Sequence, residues 1–573
     1  MKNYRALSVL LAVALLLGLC ACGGTAASST PADSNPAPVS AEAPENEPVT
    51  LPELGSEQPV DTESVAESVP AEEAEPAITI DYPIPDGDVF SMISITRRNS
   101  IEALGDNSYT ATPAYEKFAE ATGCGLDVSM LGEATANEKI NIMMASGDLP
   151  DIFNMTVSQY DSNLMGAVSD GILLDMAPLL EENAPDYNAF LNADTELHDS
   201  AYNADGTLCQ FVGSNVPVVT KGLLIRQDWL DKLNMQAPTT FDELTQVLEA
   251  FKNEMGATMP LLTNFDCETG LTPFFNVNFA GFRSVGYQLT APDSNEVVCT
   301  YASEGFINYL NYLHELNQKG ILTEDFMSTG REYGNWESSY YSGAAGVWAD
   351  NCKELDPAVR ANGADPDWKI SAFALTGEET SHVSEKTVRS MQGNNFITTA
   401  CSNPEAAMKM FNYCYTDDGI DLVLYGVKDL SYTGEGDEIQ FTDVMTNNEN
   451  GWSLSTATFW YTAAQWLPTA QQTHYLELLY CKESMEACNY WTEAYGDTAM
   501  LLPSGCTLTP EETTEFSNLA SDVLTLFTEN ASRVVIGDLT EEGYRDIIEQ
   551  ANGMGLTRMT EIYQAAYDRY LAA

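Results

Sequence analysis

Positive charge is scarce in this chain. Its 573 residues include 25 Lys plus Arg against 85 Asp plus Glu, which gives a formal net charge of -60. A surface of this kind repels polyanions and offers few cations to phosphate groups. We therefore exclude nucleic acid as a partner.

Motifs for catalysis and metal binding are also missing. The sequence contains neither an HExxH metal motif nor a GxSxG nucleophile motif, and each of its four histidines is isolated. The stretch at 203–206, Asn-Ala-Asp-Gly, superficially resembles a calcium loop, but Ala201 and Val212 stand where acidic ligands belong. Some pair among 85 acidic residues would have the spacing for glycoside hydrolysis in any fold, so such a pair carries no information. We predict a protein that is not an enzyme and has no cofactor; we assign no metal ligands, and a structural calcium stays an open alternative.

The cysteines include no CxxC pair. Ten of them follow Cys22 and are widely scattered along a chain that is too large to need disulfides for its core. We expect most of them to be buried thiols, with one or two bridges possible and no pairing assignable.

The first residues carry an apolar run that is too short for an ordinary membrane span. Lys2 and Arg5 precede this run, which extends from Ala6 to Leu19 and ends in LCACGG. Residues 19–22, Leu-Cys-Ala-Cys, resemble a bacterial lipobox. This resemblance predicts a signal peptide over 1–21 and a lipidated Cys22. An ordinary secretory cleavage site is the alternative. Two acyl chains on Cys22 would suffice for stable anchoring.

The next segment, from 22 to 77, lacks aromatic residues, Lys and Arg. It consists mainly of Ala, Pro, Ser, Glu and Thr, which cannot bury enough apolar surface to offset the chain entropy lost on folding. We predict that it is a disordered acidic tether between the membrane and the folded body.

The folded body opens with an alternation of strands and helices. The segments DVFSMISI, LDVSML and DIFNM favour strands, and TPAYEKFAEATG and NEKINIMMASG between them favour helices. Gly147 suits the left-handed residue that ends the second helix, and Asp148 and Asp151 are expected to orient the crossing into the third strand. The pattern predicts a doubly wound α/β lobe, and the length of the chain predicts a second lobe.

Further helices carry clear start signals. Thr240 with Glu243, and Thr509 with Glu512, have the spacing of capping boxes, and Asn403 with Pro404 opens another helix.

Five stretches, taken in order, resemble the extracellular solute-binding proteins of bacterial ABC importers, in particular the long lipoprotein subgroup (family 1) associated with oligosaccharides. The stretches are ASGDLPDIF, IRQDWLDKLNMQAPTTFDELTQVLEAFK, YYSGAAGVWAD, ITTACSNPEAAMKMFNYCYTDDGIDLVLYG and GLTRMTEIYQAAYDRY.

The resemblance implies a type II periplasmic-binding-protein-like α/β fold with two lobes, hinge crossovers and a ligand cleft between them. Lobe one would comprise 78–222 and 396–432, and lobe two 223–395 and 433–573. The chain would cross near Lys221 to Arg226, return near Phe396 and cross again at 430–435. The implied function is that of a lipid-anchored monomer on the outer face of the cell membrane, which captures an oligosaccharide and delivers it to ABC permease subunits. A peptide or anionic solute is the alternative, and a secreted glycoside hydrolase is a distant third.

Sugar sites combine flat aromatic faces with side chains that bind hydroxyl groups. We predict that Trp348 and Asp350, after a strand rich in small residues, lie at the cleft edge, with burial of Trp348 in the core as an equal alternative. Trp460 and Trp466 belong to the densest aromatic cluster, which we assign to the second lobe; packing is the alternative for both.

Four more polar candidates complete the predicted site. Arg283 and Arg389 lie in loops with few charges and could bind hydroxyl or carboxylate groups, unless they form salt bridges. Asn154 and Tyr160 follow the third strand, at the carboxyl ends where this architecture collects ligands.

Overall fold

The computed structural model describes residues 78–85, 87–96, 103–105, 107–155, 164–262, 270–279, 282, 284–322, 335–356, 367–378, 381–383, 390–496 and 498–572. Its strands are β1 Val89–Thr96, β2 Gly125–Gly132, β3 Ile152–Asn154, β4 Phe211–Ser214, β5 Lys221–Arg226, β6 Met259–Leu261, β7 Tyr287–Leu289, β8 Val297–Cys299, β9 Ala345–Asn351, β10 Ile370–Phe373, β11 Ser390–Ile397, β12 Tyr432–Thr433 and β13 Gln440–Phe441.

The α-helices are α1 Pro113–Thr122, α2 Glu133–Ser146, α3 Leu164–Ser169, α4 Leu180–Asn183, α5 Pro185–Asn192, α6 Thr195–Ala201, α7 Gln227–Leu233, α8 Phe241–Glu254, α9 Glu304–Gln318, α10 Asn335–Tyr341, α11 Pro404–Asn412, α12 Asp417–Tyr425, α13 Asp443–Thr446, α14 Leu454–Tyr461, α15 Thr473–Leu479, α16 Lys482–Ala494, α17 Pro510–Ile536, α18 Glu541–Met554 and α19 Leu556–Ala572.

The first sheet has the strand order β2-β1-β3-β11-β4. Strands β1, β2 and β3 are parallel, with α1 and α2 as their crossovers, which confirms the predicted alternation of strands and helices. β11 is antiparallel to both β3 and β4, so it enters the sheet from the side where the parallel strands end. The carboxyl ends of β1 and β3 therefore meet the incoming end of β11.

The crossing from α2 into β3 has the expected geometry. Gly147 adopts φ 73° at the end of α2, a left-handed conformation that residues with a Cβ rarely adopt. At the start of β3, the Asp151 carboxylate accepts hydrogen bonds from the backbone N–H of Ser91 at 2.8 Å and from its hydroxyl at 2.6 Å. Asp151 thus joins β3 to β1 at the amino-terminal end of β3, away from the carboxyl ends.

The second sheet has the order β10-β5-β9-β6. β5 is antiparallel to β10 and β9, whereas β6 is parallel to β9. The largest hydrophobic cluster surrounds this sheet and includes Leu224, Val347 and Phe251, together with Phe527 of α17 and Tyr544 of α18. The first sheet has its own clusters, so the two sheets organise separate cores.

The chain passes between the two sheets more than once. It leaves the first sheet after Ser214 and enters the second at Lys221; it leaves the second after Phe373 and returns at Ser390. These crossings lie a few residues before the predicted positions, because Lys221–Arg226 already forms β5 and β11 begins six positions ahead of Phe396.

The late aromatic segment packs differently from our prediction. Phe459 and Trp466 belong to the hydrophobic cluster of the first sheet, whereas 433–573 had been assigned to the second lobe. The chain therefore reaches the second core only after Leu467, and it does so before Ala487 and Trp491, which belong to that core.

The predicted helix starts are present with one difference. Thr509 and Glu512 form a complete capping box at α17. Thr240 caps α8 by accepting from the backbone N–H of Glu243, but the Glu243 carboxylate accepts from the backbone N–H of Thr239 at 2.8 Å instead of from that of Thr240. Asn403 caps α11 as expected.

Candidate functional site

A buried polar network lies at the carboxyl ends of β1 and β3. The hydroxyl of Ser94 donates to Asn154 Oδ1 at 2.8 Å, and the Asn154 amide donates to Asn395 Oδ1 and to the Trp466 carbonyl oxygen, each at 3.0 Å. Asn395 Nδ2 donates to the same carbonyl oxygen at 3.0 Å. Asn154 is 5% exposed, so its amide is committed to holding the first lobe together. We predicted a ligand contact there, and the structure shows a structural network.

Trp466 is buried in the same region. Its ring stacks on that of Tyr109, with centroids 4.5 Å apart, and meets the Phe459 ring edge-on. Only 3% of the residue is exposed, which leaves no face for a sugar ring. The packing alternative therefore describes Trp466.

Trp348 is buried in the second core. It lies in the middle of β9, where its ring stacks on that of Tyr340 with centroids 4.8 Å apart and planes 3° apart. No part of its surface is exposed. Of the two alternatives for Trp348, burial in the core describes this structure, because the residue belongs to the hydrophobic cluster of the second sheet.

Two carboxylates and two tyrosines meet where β9 ends. The Tyr340 hydroxyl donates to Asp350 Oδ2 at 3.4 Å, and the Tyr341 hydroxyl donates to Glu354 Oε2 at 2.8 Å. Burial raises the pKa of the Glu354 carboxyl, the Tyr341 hydrogen bond lowers it, and the nearby charge of Asp350 raises it further. Both carboxylates are buried in this cluster, since Glu354 is only 4% exposed.

Asp350 also sits beside the first crossing between the sheets. It pairs with Gly222 across β5 and β9, and the backbone N–H of Cys352 donates to the carbonyl oxygen of Thr220 at 2.8 Å. Asp350 is 8% exposed and was predicted from sequence, whereas Tyr340, Tyr341 and Glu354 were not. The adjacent tyrosines before a strand of small residues were the available signal.

Two neighbouring tryptophans of the late aromatic segment are partly exposed. Trp452 and Trp460 are both half-buried, and their ring centroids lie 6.2 Å apart with planes at 54°. Asn448 fixes Trp452 by accepting from its backbone N–H at 2.9 Å and donating to its carbonyl oxygen at 3.1 Å. Trp460 lies in the last turn of α14 and packs on the core of the first sheet. Of the predicted tryptophans, Trp460 alone retains partial exposure.

The remaining predicted residues lie outside the described part of the chain: Tyr160, Arg283, Arg389 and the lipidation candidate Cys22. A described arginine, Arg226, is buried and forms a bidentate pair with Asp228 through two 2.8 Å hydrogen bonds. Its charge is therefore occupied within the second core.

A cavity of about 760 Å³ lies beside the hairpin of β7 and β8. Its lining includes Asn276, Gln288, Ser303 and His382. None of the predicted site residues that the structure describes lines this cavity, so it is distinct from the groups above.

Across the described ranges, no cluster of three or more His, Cys, Asp or Glu residues could hold a metal ion. Within the same ranges, no helix combines the length and the apolar character that a membrane span requires.

Residues 104–420 match the bacterial extracellular solute-binding protein family, which is more than half of the chain. The chain belongs to this family. Its fold matches those of solved structures, and each match covers nearly the whole of the solved chain. The alginate-binding protein AlgQ2 matches with a TM-score of 0.64 at 20% identity over 86% of this chain and 100% of that one. The HMO-binding ABC-transporter-associated solute-binding protein of Bifidobacterium longum infantis gives 0.67 at 15% identity over 85% and 99%.

Curated relatives of this solute-binding protein come from two bacteria. The polygalacturonan/rhamnogalacturonan-binding protein YtcQ of Bacillus subtilis (strain 168) is 23% identical over 345 residues, covering 57% of this chain and 65% of that protein. The fructooligosaccharide ABC transporter substrate-binding protein FusA of Streptococcus pneumoniae is 28% identical over 224 residues, 37% and 41% of the two chains. The matched region spans less than two thirds of each of these two relatives. The predicted family and the two-lobed α/β fold are confirmed.

Proposed function

We propose that this solute-binding protein captures an oligosaccharide outside the cell and delivers it to an ABC permease, without covalent chemistry. The observation that carries the carbohydrate part is the half-open pair Trp452 and Trp460. Aromatic faces of this kind pack against the C–H side of a pyranose ring. The names of YtcQ and FusA, which specify carbohydrate ligands, support the same proposal.

In this proposal the second lobe contributes the carboxylates of Asp350 and Glu354, which a solute would reach by replacing their hydrogen bonds to Tyr340 and Tyr341. Asp350 and Glu354 lie at the end of β9, next to the crossing at Thr220. Hydrogen bonds between a carboxylate and a sugar hydroxyl contribute about 1.5 to 3 kcal/mol each. A solute that contacts both lobes gains its full set of contacts only in the closed form, so binding would shift the population towards closure.

The two carboxylates at the end of β9 favour a neutral glycan. A uronate would meet the charges of Asp350 and Glu354, and like charges at close range repel. An acidic oligosaccharide is the second candidate, because YtcQ is named for polygalacturonan and rhamnogalacturonan and AlgQ2 for alginate. Arg283 and Arg389 would be the groups that accommodate its carboxylates.

The membrane anchor and the partners are part of the same proposal. Cys22 would carry the lipid after removal of 1–21, and 22–77 would tether the folded body to the outer face of the membrane. The name of a further relative, Lipoprotein LipO of Bacillus subtilis (strain 168), 21% identical over 250 residues, supports lipidation. The protein would act as a monomer that docks on the permease subunits.

Isothermal titration calorimetry of the purified chain tests this function. The ligands are neutral oligosaccharides such as fructans, uronate oligomers and peptides. We expect saturable binding of a neutral oligosaccharide with Kd in the micromolar range or below, and about tenfold weaker binding of uronates. Binding of peptides alone would overturn the carbohydrate proposal. Chromatography of each glycan after incubation should recover it intact, and release of shorter products would overturn the assignment as a binding protein.

A further inference from the structure

Three cysteines, Cys352, Cys481 and Cys488, lie near the junction of β9, the short 3-10 helix Cys352–Leu355 and the start of α16. Cys352 and Cys488 are completely buried, and Cys481, the residue that caps α16, is half-buried. No disulfide joins any of the nine cysteines that the structure describes. The convergence brings together residues more than a hundred positions apart in sequence.

The contacts pack α16, which carries Cys488, on the 3-10 helix that begins at Cys352. The Ser484 hydroxyl donates to the carbonyl oxygen of Cys352 at 2.7 Å, which fixes one face of α16 on the 3-10 helix. Cys488 lies four residues further along α16, so it shares that face. The Cys352 thiol donates to Asn351 Oδ1 at 3.6 Å. The neighbouring Cys488 thiol raises the pKa of Cys352, and Cys352 in turn lowers the pKa of Cys488 below its ordinary value.

We propose that Cys352 and Cys488 are a redox-active pair that closes to a disulfide when the protein meets an oxidising low-molecular-weight disulfide. The physiological relevance rests on the extracellular location proposed above, but the chemistry does not. In the net reaction, one molecule RSSR is reduced to two RSH, and the two cysteine thiols are oxidised, losing two protons and two electrons to form one S–S bond.

Cys481 is the point of access for the oxidant. The two other sulfurs have no exposed surface, whereas Cys481 is half-buried, and its Sγ lies 3.2 Å from the same Ser484 hydroxyl that contacts Cys352. The Cys481 thiolate attacks RSSR, releases RSH and becomes a mixed disulfide. Cys488, whose pKa is lower than that of Cys352, then displaces the second RSH from it, and Cys352 displaces Cys481 from Cys488, which restores the Cys481 thiol.

The bond would reinforce the crossing between the lobes. Cys352 donates its backbone N–H to Thr220, and Thr492, one turn after Cys488 on α16, accepts from the backbone N–H of Val219 at 2.8 Å. The disulfide would close a loop from Cys352 to Cys488, and this loop contains β11 and the later segments that pack in the first core. A closed loop of that length strongly restricts the unfolded chain, so oxidation should raise thermal stability.

The test uses the purified chain, reduced with a phosphine, freed of reductant and then exposed to oxidised glutathione. After free thiols are alkylated in denaturant, peptide mapping without reduction should find Cys352 joined to Cys488, with a mass loss of about 2 Da from the two hydrogens. The melting temperature should rise by about 5 °C. Full alkylation of both residues, or a final bond to Cys481, would overturn the proposal.

Variants separate the pair from its access point. Cys352→Ala and Cys488→Ala should each lose the oxidation-dependent shift, while Cys414→Ala, a matched buried thiol in the core of the first sheet, should retain it. If an Ala variant fails to fold, the peptide map of the unsubstituted chain still decides. Cys481→Ser should slow closure about tenfold without changing the final bond, and an unchanged rate would remove Cys481 from the mechanism. No glycan is present, so failure of the proposed function leaves this test intact.

Discussion

The side-chain amide of Asn154 donates to the backbone carbonyl oxygen of Trp466 at 3.0 Å, although 312 positions separate the two residues. Asn395, on the neighbouring strand β11, donates to the same oxygen. Three distant parts of the chain are thereby joined at the carboxyl end of β3, where a ligand contact had been expected. The bond ties the segment that carries Trp460 to the first sheet.

Asn154→Ala should lower the free energy of unfolding by about 2 to 3 kcal/mol, because Ser94 Oγ and Asn395 Oδ1 would lose buried partners. Urea denaturation measures the change. Asn192→Ala, at an exposed asparagine on α5, is the control and should change stability by less than about 0.5 kcal/mol. An unfolding curve that matches that of the unsubstituted chain would show that the network is not structural.

Trp460→Ala should weaken binding of the glycan identified by titration at least about tenfold, because an aromatic platform supplies apolar contact that Ala cannot. Trp460→Phe should lose less. The control is Tyr490→Ala, which removes an exposed aromatic ring from α16 and should leave Kd unchanged. Equal affinities for Trp460→Ala and the unsubstituted chain would remove Trp460 from the site.

Gly222→Ala should destabilise the crossing between the sheets. A Cβ at this position would lie 2.5 Å from ring carbons of Trp491, and that ring is fully buried and donates to the carbonyl oxygen of Phe373 at 3.1 Å. Overpacking of this kind costs about 1 to 3 kcal/mol.

The matched control for this substitution is Gly553→Ala, in helix α18, where nothing lies within 4 Å of the added Cβ. It should stabilise the protein by up to about 1 kcal/mol. Thermal unfolding of both variants measures the difference, and a lower melting temperature for Gly553→Ala than for Gly222→Ala would contradict the argument.

Glu354→Gln should change how stability depends on pH. Because burial raises the folded-state pKa of Glu354 above its unfolded value, the folded state holds this proton more tightly, and stability falls as pH rises from the unfolded towards the folded pKa. Gln keeps an acceptor for the Tyr341 hydroxyl and cannot ionise. The variant should therefore lose less stability than the unsubstituted chain between pH 4 and pH 7.

Melting temperatures at several pH values within that window test this prediction. Glu378→Gln changes a carboxylate that accepts from the backbone N–H of Phe241, outside the tyrosine and carboxylate cluster, and serves as the charge-matched control. Parallel pH profiles for Glu354→Gln and the unsubstituted chain would show that Glu354 does not carry the effect.

Local patterns predicted the first lobe well. Alternating apolar residues, Pro113 at the start of α1 and Gly147 after α2 act over a few positions, and the structure has the expected strands and helices there. The capping box of Thr509 and Glu512 is equally local. Such signals depend only on neighbours in sequence, which a single chain displays directly.

The burial of the aromatic candidates could not be predicted in the same way. Whether Trp348 faces solvent depends on Tyr340, which covers its ring, and the fate of Trp466 depends on Tyr109, more than three hundred positions earlier. The packing of α14 on the first sheet is likewise a long-range choice. Asp350 could be predicted because a strand of small residues ends there. Its hydrogen-bond partner Tyr340 could not, because the sequence pattern does not reveal which residues contact that strand.

The position of β11 between β3 and β4 has a consequence for synthesis and export. As the chain emerges with its amino terminus first, β1 to β4 appear before β11, and the strand that joins β3 to β4 arrives only after the second sheet has been made. Until then β3 and β4 present unpaired edges, which are sites of mispairing. A chain interrupted before Ser390 would therefore lack the strand that closes its first sheet, so truncated products should be open to proteolysis.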